Sequence, residues 1–433
     1  MDADQRVVRV ITSAPVLVML WGLALAHTII LLAHSGERTW HHDFSVFYTS
    51  AIALRQNLDP YAVNLVPLGN RLGMKIWPLI HTTDTPLALM LFMPFAQMAP
   101  ATAHAVWIAV NCVALFAGLI ILIRPKYSGL ELKMAYAVGA IALLYAPVTE
   151  NLLFSQRQAL ILLLLVLVMR ALQSGREAIA GSLLALAIAY RLFPVVVAGY
   201  FLVRRQWRPL IYMGFGLVLL GVVTIAAMGL PLCLNFTRGV QLALTATSDP
   251  AVVSIRATII RWFSYAFGDR SDRSIEIAQY ITAAFAQLAI LALTVIPTMR
   301  AARAPGCDLR SFCLWVAATV VLSPLSWIHY MMLLLIPFVS IASAATRHRC
   351  SRRAVQAAIA SYLLIAATIR MRVNVVSEIW WEPGLRYLAE GSSVALLLGF
   401  LAAYWFATDA PNATPAQAFN DSPPAFASIN ACE

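Results

Sequence analysis

The chain has 433 residues and a formal net charge of +11, yet only 12% of its residues are charged and 61% are hydrophobic. A soluble domain carries about 25% charged residues, so a soluble enzyme, a disordered chain and a soluble nucleic-acid-binding domain are excluded. The mean hydropathy of +0.77 comes from continuous Leu/Ala/Val/Ile runs, which read as helical membrane spans; a β-barrel would need alternating residues.

The first predicted span covers Thr12–Ala33 and follows Arg6 and Arg9. It is too long for a cleaved signal peptide, and no small-residue cleavage site follows it. A long, mostly polar stretch from His34 to Asp84 comes next, dense in aromatic and ionisable residues: Trp40, His41, His42, Asp43, Phe44, Phe47, Tyr48, Asp59, Tyr61, Trp77, His81 and Asp84. Pro86–Met98 is apolar but too short to cross a ~30 Å hydrocarbon core as a helix, so a re-entrant or half-buried element is expected. Spans are then predicted at Ala101–Ile123 and Lys133–Pro147, with a short polar turn at Glu150–Gln158 before Ala159–Leu172. Ile179–Tyr190 and Val195–Val203 form a hairpin with Arg191, Phe193 and Pro194 at its tip. Leu210–Leu230 crosses again, a second long polar stretch runs over Pro231–Ile275, and Ile277–Thr298 returns. Phe312–Leu325 and Tyr330–Ser343 form another hairpin, tipped by Ser326, Trp327, Ile328 and His329. Val355–Ile369 and Ser393–Phe406 are the last spans. The tail after Thr408 is rich in Pro, Ala and Asn and is expected to be disordered.

The fold class that follows is all-α integral membrane: one polytopic bundle of about 10–12 transmembrane helices at ~20 residues each, over residues 1–408, with outer loops bearing short helices at 34–85 and 231–275. Short basic clusters such as Arg124/Lys126/Lys133 and Arg204/Arg205/Arg208 close each successive pair of spans. By the positive-inside rule they place the N-terminus and the 409–433 tail in the cytoplasm and the two long loops outside. The six cysteines form no Cys-x-x-Cys pair and no zinc spacing. His41, His42 and His81 could meet a metal, but no spacing demands one; no metal or cofactor is expected.

On this topology the unusual polar residues gather at the outer face. Ionisable groups at a membrane boundary are costly and are functional candidates by default. A carboxylate there can act as a general base, and arginine can hold a phosphate. Each candidate also has a structural reading. Asp43 opens a helix-like stretch, so it is either a helix-start acid or a base. Arg191 either snorkels to the headgroups or binds phosphate, and His329 is either an interfacial histidine beside Trp327 or part of a site. Asp59-Pro60-Tyr61 reads as a turn, His81 and Asp84 as either junction or site residues, and Arg157, between Gln156 and Gln158, as a turn charge. Trp380-Trp381 reads as an aromatic belt.

The run His42-Asp43-Phe44-Ser45-Val46-Phe47-Tyr48, continuing through Ala51 to Asp59-Pro60-Tyr61, resembles the first outer loop of glycosyltransferase family 87, the polyprenol-phosphate-mannose-dependent mannosyltransferase-like C-type glycosyltransferases. Asn151–Leu162 is similar to the family's Gly-Gln-x-Asn turn and following helix, Ala180–Arg205 to its small-residue helix with a basic-x-x-Pro tip, and Leu322–Leu335 to its Ser-Pro-x-Ser-Trp-x-His segment. The chain departs from the pattern in reading Ser155-Gln156-Arg157-Gln158 at the turn and Trp77–Pro86 where the family has a Tyr-Pro-Pro stretch.

The resemblance implies an inverting hexosyltransferase of a bacterial inner membrane. Its donor would be a sugar (mannose or another hexose or pentose) on polyprenyl phosphate, and its acceptor an extracytoplasmic glycan or glycolipid. Membrane lipids would be its other partner, and nucleic acid would not be one. It places the general base on Asp43 and the phosphate contacts on Arg191 and His329. Arg256 and Arg261 are weaker phosphate candidates, and Gln156, His42 and Tyr48 complete the expected substrate-binding set. The rival readings are a lipid-linked sugar flippase or transporter, a non-catalytic membrane subunit, and a ligase using pyrophosphate-linked oligosaccharide.

Overall fold

The computed structural model describes residues 8–37, 43–74, 76, 81–245, 252–268, 272–302, 308–375 and 390–409. The candidates His41 and His42, the Trp380-Trp381 pair and the tail beyond 409 lie outside these residues. Among the described residues the fold is helical, with a single isolated antiparallel bridge between Val252 and Trp327.

The helices in chain order are α1 (Ala14–Glu37), α2 (Asp43–Arg55), α3 (Leu65–Arg71), α4 (Pro86–Phe92), α5 (Pro100–Ile123), α6 (Pro125–Ser128), α7 (Leu132–Leu143) and α8 (Ala146–Leu153). Next come α9 (Gln158–Gln173), α10 (Glu177–Tyr190), α11 (Ala198–Val203), α12 (Trp207–Met228), α13 (Leu230–Thr245) and α14 (Ile255–Phe267). The last are α15 (Arg273–Ala301), α16 (Leu309–Leu322), α17 (Leu335–Thr346), α18 (Arg352–Val375) and α19 (Gly391–Thr408). Short 3-10 helices stand at Phe95–Gln97, Phe193–Val197 and Ile328–Leu334.

Among the described residues six stretches are long and apolar enough to cross a membrane: Ala14–Ala33, Pro100–Ile123, Trp207–Met228, Arg273–Ala301, Ile328–Thr346 and Gly391–Thr408. The pair α7 and α8, bent by 52°, makes a seventh if counted as one span. Five further apolar helices are only 10–17 residues long. The protein is therefore an all-α polytopic membrane protein in which several of the expected crossings are short or broken. Proline explains much of the breakage, because it removes an N–H from the helical ladder and clashes with the preceding turn. Pro147 begins α8 after an extended Tyr145, Pro194 opens the 3-10 helix after α10, and Pro94 separates α4 from the 3-10 turn at Phe95. The stretch Pro86–Met98 is accordingly short and interrupted. The second polar stretch, 231–275, carries the amphipathic helices α13 and α14.

Two apolar cores hold the fold. The larger runs through α5, α7 to α11 and α16 to α19. The smaller gathers Phe44, Phe47 and Tyr48 of α2 with Leu65, Met74, Phe92 and Trp107, so the segment between α1 and α5 packs against the start of α5. Close helix approach fixes the larger core. A Cβ on Gly181 of α10 would stand 2.2 Å from the carbonyl oxygen of Pro209 in α12, and a backbone carbonyl has little room to yield. Gly181→Val is therefore expected to separate α10 from α12 and destabilise the protein by about 1–3 kcal/mol, read as a lowered thermal midpoint in detergent.

Candidate active site

The site is built at the start of α4. Thr85 caps this helix, its Oγ1 accepting from the Ala88 N–H (3.3 Å), while the same hydroxyl donates to the Tyr190 carbonyl at the end of α10 (3.0 Å). Asp84 stands one residue earlier and is fixed at both backbone ends: its N–H donates to Thr82 Oγ1 (3.2 Å) and its carbonyl accepts from the Tyr61 hydroxyl (2.6 Å). Its carboxylate is buried and meets two guanidinium groups, Arg157 in a direct hydrogen-bonded ion pair and Arg191 with Nη1 at 3.9 Å.

Arg157 comes from the turn between α8 and α9. Ser155 adopts a left-handed backbone, φ +52°, unusual for a non-glycine residue. Three bonds hold it there: a 2.8 Å hydrogen bond between its Oγ and His104 Nε2, a bond from Trp107 Nε1 to its carbonyl (2.8 Å), and one from the Gln156 N–H to the Asn151 carbonyl (2.8 Å). Asn151 Oδ1 then accepts from the Gln158 N–H at 3.0 Å. The turn aims Arg157 inward, where it is 0% exposed. Its guanidinium lies over the Phe47 ring (3.9 Å to the centroid), with the Tyr190 ring at 5.6 Å. A buried cation is tolerated only when paired and stacked in this way.

Arg191 is the extended residue at the end of α10, and its guanidinium lies 5.6 Å from the centre of the Tyr330 ring. Tyr330 follows His329 on the 3-10 helix Ile328–Leu334. Seven residues is long for this conformation, and it runs directly into α17. His329 is 5% exposed, stacks almost parallel to Trp327 (5°, 6.5 Å between centroids), and its Nε2 has no hydrogen-bond partner among the described residues. Asp43 is the first residue of α2 and is half-buried. Burial is the strongest influence on its carboxyl and pushes it up to about 6; Arg191 and then Arg157 oppose this, and Asp84 adds to it. Asp43, Asp84, Arg157, Arg191 and His329 thus form one electrostatic group, brought together from five parts of the sequence.

A family model described as glycosyltransferase family 87 matches residues 83–324. The chain belongs to glycosyltransferase family 87. It is a membrane glycosyltransferase. The matched stretch contains Asp84, Gln156, Arg157 and Arg191; Asp43 and His329 lie outside it and are delivered to it by the fold. No curated protein matches the chain.

The remaining expected site residues of the glycosyltransferase are placed differently. Gln156 is buried beside Arg157, and its Oε1 has no partner among the described residues. Tyr48 packs in the smaller core and its hydroxyl donates to the Met98 carbonyl (2.7 Å), a structural bond. Arg256 donates to the Leu244 carbonyl (2.9 Å) and lies 5.7 Å from the Tyr280 ring centre. Arg261 is committed to a buried ion pair: Nε and Nη2 donate to the two carboxylate oxygens of Glu390 (2.6 and 2.8 Å), and Nη1 donates to the Val252 carbonyl (2.8 Å). Arg261 and Arg256 therefore join helices instead of lining the Asp84 group. His42 lies outside the described residues. His81 Nδ1 is 2.9 Å from the Val63 carbonyl.

Arg157 and Asp84 stand among the ionisable candidates in the sequence, but nothing there shows that they pair or gives either a role in the site. The available signal was Arg157 itself, a charge set between two apolar helices at the unspecified position of the Gly-Gln-x-Asn turn. Removing one member of a buried ion pair typically costs about 3–5 kcal/mol. Arg261→Met is expected to destabilise the protein by about that much and Arg261→Met/Glu390→Leu by much less, measured by thermal unfolding in detergent.

Proposed function

We propose that this glycosyltransferase moves a hexose or pentose from polyprenyl phosphate to an outward-facing glycan or glycolipid, with inversion at the anomeric carbon. One observation carries the reading: a half-buried carboxylate, Asp43, shares an electrostatic group with two arginines and a histidine. A carboxylate kept apart from cations that can bind phosphate is what an inverting transfer from a phosphate-linked donor requires.

In this reading Asp43 takes the proton of the acceptor hydroxyl. The acceptor oxygen attacks the anomeric carbon from the face opposite the phosphate, the carbon–oxygen bond to phosphate breaks, and its electron pair leaves with the polyprenyl phosphate. Arg191, with Arg157 behind it, carries the growing negative charge on that phosphate. His329 Nε2, unpartnered among the described residues, is available to a phosphate oxygen. The protein sits in a bacterial inner membrane with its N-terminus in the cytoplasm. The gathering of ionisable residues at one end of the bundle favours transfer over a flippase, which needs polar groups along a path through several spans.

Membranes carrying the wild type or Asp43→Asn, given radiolabelled polyprenyl-phosphate hexoses, test this directly. Asp43→Asn is expected to lose transfer by about 10²-fold or more while remaining folded; near-normal transfer would remove Asp43 as the base. The base must be ionised, so activity should fall as pH drops through about 6. A pH–rate profile flat down to the ordinary carboxylate range would contradict the environment described for Asp43.

A further inference from the structure

We infer that Asp84 is a positioning residue: its carboxylate holds Arg157 and Arg191 together and keeps both cations off Asp43, leaving that carboxylate free for an acceptor hydroxyl. The inference rests on reading Asp43 as the base.

The geometry comes from three directions. Phe47 follows Asp43 by one helical turn on α2, and Arg157 is stacked on Phe47, so the guanidinium lies along the same side of the helix as Asp43. Arg191 reaches the same group from the end of α10. Asp84 meets both from the start of α4 with a backbone pinned by Thr82 and Tyr61. Neither arginine is saturated by this arrangement: Nε and Nη1 of Arg157 and Nε of Arg191 have no partner among the described residues. A buried cation that loses its partner is strongly unfavourable, and the other carboxylate in the group is Asp43.

The charges in the group are two arginines against Asp43 and Asp84. Tyr330 of the 3-10 helix also interacts with Asp43, and His329 of the same helix and Tyr190 of α10 face the two arginines. On α2 itself Tyr48 and Arg55 are bound to the Met98 and Ala96 carbonyls, α3 adds Arg71, and α5 adds His104, whose ring meets Phe44; α4 and the Phe95–Gln97 turn add no titratable side chain. Loss of Asp84 therefore leaves two cations facing one carboxylate. Asp43 would then be held in an ion pair, bind its proton less readily and be a weaker base.

The experiment uses the full chain with a radiolabelled polyprenyl-phosphate hexose and compares pH–rate profiles per unit of folded protein for the wild type, Asp84→Asn, Asp84→Glu and Asp43→Asn. Asp84→Asn is expected to lower the plateau rate by about tenfold and to move the acid limb down by about one pH unit, as a newly formed ion pair does. Asp84→Glu should keep the wild-type limb. An Asp84→Asn limb coincident with the wild type, with the loss explained by a lower thermal midpoint, would overturn the inference. Should Asp84→Asn fail to fold, the same comparison is made in the Arg157→Met background, which lacks the fully buried cation. There Asp84→Asn frees only Arg191, and the limb should again fall below that of Arg157→Met alone; coincident limbs would overturn the inference. The underlying reading is judged separately: if Asp43→Asn still transfers, the base assignment fails, whereas an inactive Asp43→Asn with an unmoved Asp84→Asn limb refutes only the role of Asp84.

Discussion

A guanidinium with no exposed surface must be met by a carboxylate, and that requirement organises one end of this molecule. Arg157 cannot reach water, so Asp84 has to stand where it does, and the chain around Asp84 is shaped to hold it there. Thr82, Tyr61 and Thr85 use their hydroxyls to fix the start of α4 and to tie it to the end of α10. Arg191 leaves α10 at that joint. The cation that could have been a liability inside the bundle thereby sets the positions of α2, α4, α9 and α10 relative to one another.

A second buried pair, Arg261 with Glu390, does comparable work elsewhere. It ties α14 to the start of α19, and Arg261 also reaches the Val252 carbonyl. Val252 bridges to Trp327, the Val253 N–H donates to the Ser326 carbonyl (2.6 Å), and Ser254, which caps α14, donates to the Pro324 carbonyl (3.1 Å). The segment that presents His329 is thus stitched to α14, which an ion pair anchors. The two pairs differ in what they leave over. Arg261 is engaged on both carboxylate oxygens of one partner, whereas Arg157 and Arg191 share a single carboxylate and keep donors in reserve.

The class of fold was legible because apolar composition and run length are properties of the chain alone, and lipid leaves few solutions for its backbone. Segment order was legible for the same reason, and the proline positions account for the short stretch at Pro86–Met98. The assembly at Asp84 was not legible. Its members stand at 43, 84, 157, 191 and 329, and only packing brings them together. Arg157 read as a turn charge because its flanking glutamines suggested an exposed turn; His104 and Trp107, some 50 positions earlier, bury that turn. Arg261 read as a phosphate candidate because its partner, Glu390, lies 129 residues away.

The left-handed turn at Ser155 has an evolutionary consequence. Glycine occupies such a backbone without strain, as the family's Gly-Gln-x-Asn pattern would have it; serine does so here because its side chain and carbonyl are both bound from α5. The chain has exchanged backbone freedom for a side-chain bond, which makes positions 104 and 155 interdependent. A glycine at 155 would leave the buried imidazole of His104 without its partner, and a small apolar residue at 104 would leave the serine strained and unsupported. The two sites can change together far more easily than one at a time, so a relative that has reverted at one position should carry a compensating residue at the other.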